Sequence, residues 1–156
     1  MRLVILLGVF CFISLGLSAQ LSELEQVAAH ELKGKWVGKL TQESGGIASE
    51  YSFEMFITIE ENKISGYSTI EVNGLKGKLS LNGTVDGLHL HLQELKLTSK
   101  DLAAREASWC IKIMELNFGF KRGKFRLEGP WKGRSNKFKS KCSPGKIYLK
   151  KEAIRA

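Results

Sequence analysis

The chain is poor in the residues that usually mark chemistry or impose special backbone geometry: of its 156 residues only two are proline, three histidine and three cysteine. With so few imidazoles, a Ser-His-Asp relay has few places to be built, because its base must be oriented on a nucleophile. No motif of high specificity for catalysis or for a cofactor occurs anywhere in the sequence. An enzyme is therefore the least supported class, and no cofactor is expected. A second domain does not fit this length, and 43% apolar residues exclude a disordered chain.

Long apolar runs are absent except for Leu3 to Leu17. That run is about 15 residues, short of the roughly 20 needed to cross a bilayer. Met1-Arg2 supplies a positive start and Leu17-Ser18-Ala19 ends on a small residue. This is the layout of a secretory signal peptide, residues 1–19, cut between Ala19 and Gln20. The expected location is outside the cytoplasm, extracellular or periplasmic, with no transmembrane segment after cleavage. Cys11 leaves with the leader, and bulky Phe10 before it does not suit a lipoprotein cysteine. Cys110 and Cys142 remain, and an even number in an oxidising compartment predicts one disulfide. On the chain-entropy picture it would stabilise by about 3.7 kcal/mol.

What is present is periodicity. Ser22-Glu23-Leu24-Glu25 forms a capping box, and Leu21, Leu24, Val27, Ala28 and Leu32 follow at helical spacing, predicting a short N-terminal helix within 20–33 that Gly34 stops. From Lys35 onward the period is two. Tyr51, Phe53, Met55, Ile57 and Ile59 alternate with polar residues, broken only by Phe56. Ile64 to Val72, Leu75 to Val85 and Leu88 to Leu92 continue the pattern, with hairpin signals at Asn73-Gly74 and Asp86-Gly87. The phase slips at Gln93-Glu94, which predicts a bulge, and a second internal shift is expected between Ile111/Ile113 and Leu116/Phe118/Phe120. Ser99 to Ser108 reads as a loop with a helical turn near Leu102-Ala103-Ala104. The count is eight antiparallel strands over residues 34–151, followed by a short tail, 152–156. The expected fold is all-β: an eight-stranded up-and-down barrel, with a β-sandwich as the alternative.

Gly34-Lys35-Trp36-Val37-Gly38 recurs as Gly129-Pro130-Trp131-Lys132-Gly133. Glycines flanking an indole on one face suggest that the ring lies over bare backbone where the strand bends, which favours closure of the sheet. A helical turn followed by Gly34-Lys35-Trp36 at the first strand, then a meander, resembles the calycin superfamily and especially the lipocalins. The resemblance implies a barrel whose base is plugged by Trp36. It carries over no other residue, since a Thr-Asp-Tyr motif and a long helix after the eighth strand are not present. An avidin-like barrel shares the outline, but its aromatic ligand cage has no match here.

The lumen-facing set read from the alternation comprises Trp36, Leu40, Tyr51, Phe53, Met55 and Ile57 from the first half, with Ile70, Leu79, Leu81, Leu90, Phe125 and Leu127 following. In an eight-stranded barrel such residues either fill the interior or line a pocket for one small ligand. Charge is the other signal. Residues 121–151 hold twelve Lys or Arg against the single acid Glu128, whereas residues 20–120 are net acidic. Within this tract Lys137, Lys139 and Lys141 would share one face if extended, with Arg134, Lys146, Lys150 and Lys151 around them. Such density attracts anionic glycans or lipid phosphates, and secretion disfavours nucleic acid; the alternative is a solvated edge that resists strand pairing. His89 and His91 share a strand face, a spacing that can chelate a metal, but a site needs more ligands and none is evident. Three functions stay open: a non-enzymatic barrel holding a small apolar or amphipathic ligand, a surface module for anionic polymers or membranes through 132–151, and a structural accessory domain without a ligand.

Overall fold

The computed structural model describes residues 30–153. The leader, most of the expected N-terminal helix and the end of the tail lie outside the described residues; residues 30–32, the part of that helix which is described, are helical. Eight strands follow in chain order: β1 (Gly34–Thr41), β2 (Glu50–Glu60), β3 (Lys63–Val72), β4 (Leu75–Asp86) and β5 (His89–Leu97), then, after a short helix α1 (Leu102–Glu106), β6 (Cys110–Lys121), β7 (Lys124–Ser135) and β8 (Gly145–Lys151). Each pairs antiparallel with its sequence neighbour, and β1 also pairs with β8, so the sheet is a closed barrel. Gly38 lies opposite Phe53 on one side and Leu149 on the other.

Glycine permits this closure, though not by the mechanism expected from sequence. A Cβ at Gly38 would fall 2.1 Å from the Tyr148 carbonyl oxygen, and one at Gly129 would fall 1.9 Å from that of Glu115. A neighbouring strand's backbone, not an overlying indole, occupies the space. An indole does cover a glycine at Gly77, where a Cβ would meet the Trp109 ring at 2.8 Å. Trp36 and Trp131 also serve opposite ends: Trp36 pairs with Lys151 at one end of β8, Trp131 with Gly145 at the other.

The two ends differ. Tight turns close the base, where the chain enters through residues 30–33. Trp36 plugs that end: its indole N–H donates to the Leu32 carbonyl at 2.9 Å and its ring stands edge-on to Phe118. At the other end the connections 42–49, 98–109 and 136–144, with the Asn73-Gly74 turn, form an open mouth. Between them the inward residues pack solidly. Phe53, Met55, Ile57, Leu79, Leu90, Met114, Leu116 and Leu127 are all essentially inaccessible to solvent.

Two register expectations are corrected. In β5 the slip falls after Glu94, not before it: Leu81 pairs with Glu94 and Leu79 with Leu97, so the extra residue is among Leu95 and Lys96. Glu94 stays in phase with Leu90 and Leu92 and is buried, while Leu95 is exposed. In β6 there is no shift. Lys112, Met114, Leu116 and Phe118 all face inward, and Ile111 and Ile113 face outward. Both errors share one cause, the assumption that a charged residue must face water.

Candidate functional site

A cleft of about 400 Å³ opens at the mouth. Leu40, Tyr51, Ile70, Val72 and Leu75 come from strand ends, Ile47 from the β1–β2 connection, Trp109 from the residue before β6 and Trp131 from β7. Cys110 and Cys142 form a disulfide that ties the start of β6 to the β7–β8 connection at the cleft wall.

The polar groups around this cleft are satisfied by one another. The Trp109 indole N–H donates to the Ala104 carbonyl at 2.6 Å, and that of Trp131 to the Thr41 carbonyl at 2.9 Å. The Tyr51 hydroxyl donates to Gln42 Oε1 at 2.8 Å and accepts from the Ala48 N–H, while Gln42 Nε2 donates to the Ser143 carbonyl. The walls are therefore mainly carbon, with the Lys141 side chain as a charged lining group.

At the floor lies a buried ion pair. Lys112 Nζ stands 3.0 Å from Glu94 Oε2 and both side chains are sealed from solvent, with 1% and 0% exposure. Such a pair is tolerable only when its remaining hydrogen-bonding capacity is used. Glu94 also accepts from the Lys112 N–H at 2.9 Å and from the Ser68 hydroxyl at 2.5 Å, and the ammonium donates to the Cys110 carbonyl at 3.0 Å. The Phe53 and Trp131 rings lie 5.5 and 5.9 Å from the ammonium, within cation–π range.

The structure divides the twelve expected lumen residues. Leu40, Tyr51 and Ile70 line the cleft. Trp36, Phe53, Met55, Ile57, Leu79, Leu81, Leu90 and Leu127 are buried in the packed barrel below it, and Phe125 is half-buried, stacked on Phe118. Sequence reading missed Lys112, Glu94, Trp109 and Trp131 as cleft or floor residues. The signal was present: opposite charges in the apolar phase of β5 and β6 mark a pair that faces inward.

The basic tract is not one extended face. Residues 136–138 turn, and Lys139 has φ of +58°, so Lys137, Lys139 and Lys141 do not alternate along a strand. The Lys137 ammonium donates to the Glu106 carbonyl. Lys151 leaves the group altogether. It is half-buried against the Trp36 ring and donates to the Glu31 and Lys33 carbonyls, and burial pushes its pKa below the usual lysine value. Arg134, Lys141, Lys146 and Lys150 stay exposed, joined by Lys132. Beside Lys132, Arg134 and Lys141, the outward Ile111 and Ile113 line a shallow external groove.

His89 and His91 lie on the outer surface and share Glu115 of the neighbouring strand, His89 Nε2 at 3.1 Å. Hydrogen bonding to Asn117 and then to Glu115 raises the His89 pKa; burial pushes that of Glu115 up, but the two imidazoles outweigh it and hold it below the usual carboxylate value. Glu94, on the inner face, is remote from this cluster in orientation. Among the described residues no group of three or more His, Cys, Asp or Glu is placed to hold a metal ion, and no helix is long and apolar enough to cross a membrane. No family model, curated protein or solved structure matches the chain.

Proposed function

We propose that this protein is a secreted, non-enzymatic barrel that holds one small, apolar or amphipathic molecule in the cleft at its mouth. The observation that carries this reading is a predominantly apolar cleft of about 400 Å³ above a fully bonded ion pair. That volume is within the range of small-molecule sites. Lys112 and Lys141 line the cleft and Glu94 does not, so an amine-bearing ligand would meet like charge with little water to screen it. An uncharged body lying against Trp109 and Trp131 avoids that penalty. The lipocalin-like resemblance, with Trp36 at the base, points the same way. The leader-like residues 1–19 and the disulfide fit an oxidising compartment. The histidines contact a carboxylate on the outer face and no nucleophile, which favours a binder over a hydrolase.

The test is fluorescence titration with an uncharged probe such as N-phenyl-1-naphthylamine. One saturable site is expected. Val72→Trp, which places a large ring in the cleft at a half-buried position, should weaken binding at least about tenfold while the fold is retained. Absence of saturable binding, or an unchanged affinity in that variant, would refute the reading.

A further inference from the structure

The rim of the mouth carries a feature that the cleft does not require. Three of its connections expose a large apolar side chain: Ile47 (83% exposed) between β1 and β2, Leu102 (64%) on α1, and Phe138 (75%) between β7 and β8. Each sits on a segment braced against its neighbour. Ser143 Oγ donates to the Ser44 carbonyl at 3.0 Å and the Glu43 N–H to the Pro144 carbonyl at 2.9 Å, joining the first connection to the last. The Trp109 N–H donates to Asn136 Oδ1 at 2.9 Å, and Lys137 reaches Glu106, joining the last to the α1 segment. Exposure of the three side chains is thus a property of a tied rim.

The charge around these tips has one prevailing sign. Lys100, Arg105, Arg134, Lys137, Lys139 and Lys141 stand against Glu43, Asp101 and Glu106, and Asp101 is spent as the N-cap of α1. None of the six cations forms an ion pair among the described residues. A linear polyanion would use the cations and gain nothing from Ile47, Leu102 and Phe138. A second copy would bring two basic rims together. An anionic bilayer uses both features, with headgroup phosphates at the level of the lysines and the acyl boundary below for the apolar tips.

We propose that the protein docks mouth-first on an anionic lipid bilayer, with Ile47, Leu102 and Phe138 entering the interface and the surrounding lysines and arginines pairing with headgroups. The cleft then opens toward the lipid, although docking stands whether or not the cleft takes a ligand.

Co-sedimentation with vesicles tests this, comparing phosphatidylcholine alone with phosphatidylcholine containing phosphatidylglycerol. The protein should pellet with the anionic vesicles and stay in solution with the neutral ones. Ile47→Ser with Phe138→Ser should lower the partition coefficient about tenfold, with an unchanged circular dichroism spectrum because both side chains are already exposed. Lys139→Glu with Lys141→Glu should lower it comparably. Failure to bind anionic vesicles would overturn the proposal, as would binding that the apolar pair does not alter. Retention on a sulfated-polysaccharide column that the Ser variant leaves intact, without vesicle binding, would assign the cations to a linear polymer instead. Naphthylamine binding in solution reports on the cleft separately, so the two readings can fail independently.

Discussion

Glu94 and Lys112 show how a single pair of residues changes the character of an interior. Two charges taken from water cost several kcal/mol each unless their capacity for hydrogen bonding is exhausted, and here Ser68, a backbone N–H and a carbonyl exhaust it. Lys112→Met alone leaves Glu94 buried without its countercharge and should destabilise by about 3–5 kcal/mol. Adding Glu94→Gln removes that charge; the amide oxygen can still accept from the backbone N–H of residue 112 while its NH2 donates to the Ser68 hydroxyl oxygen, so most of the loss should be recovered. Urea melts of the single and double variants measure this, and equal costs for both would show that the charge pairing is not what matters. At this scale the sequence was most misleading. Lys112 and Glu94 sit in the apolar phase of their strands, yet a one-residue view assigns both to water because it cannot see the partner across the ladder.

At the scale of elements, the strands were legible because they alternate. All eight, the Asn73-Gly74 and Asp86-Gly87 turns with positive φ at Asn73, Gly74 and Gly87, and the helical turn after Asp101 follow from local sequence. The bulge was legible in existence but not in position, since Leu95 and Leu97 reveal a slip while leaving open which residue is extra. The disulfide belongs to this scale too. It ties β6 to the long β7–β8 connection, one of the three connections at the mouth that are not tight turns. Reduction should therefore destabilise by about 2–4 kcal/mol and loosen the mouth before the base. Denaturant melts with and without reductant, combined with amide exchange on residues 136–144, check both statements; uniform exchange changes around the barrel would contradict the second.

For the whole molecule, the decisive event is the pairing of β1 with β8, residues more than a hundred positions apart in sequence. Closure gives the barrel two ends, and the chain then makes them unlike: a base sealed by Trp36 and Lys151, and a mouth that is greasy inside and basic outside. The two proposed interactions differ in their response to salt. Probe binding in the cleft should barely change between low and moderate ionic strength, whereas vesicle binding should weaken steeply as the headgroup charge is screened. Parallel titrations across the same salt series decide it, and a cleft affinity that tracks salt would mean that the probe sits on the basic rim.

The amino-acid sequence by itself determined the all-β class, the number of strands, the bridging cysteines, the twelve largely inward-facing positions and the excess of positive charge toward the end of the chain. These depend on local alternation, turn chemistry and composition, each of which is written within a few residues. Tertiary structure alone decided which inward residues fill the barrel and which line an opening, that Glu94 and Lys112 meet, that Lys151 turns to the base, and that Ile47, Leu102 and Phe138 share one rim. Those outcomes depend on register and closure, which set the distances between residues far apart in sequence.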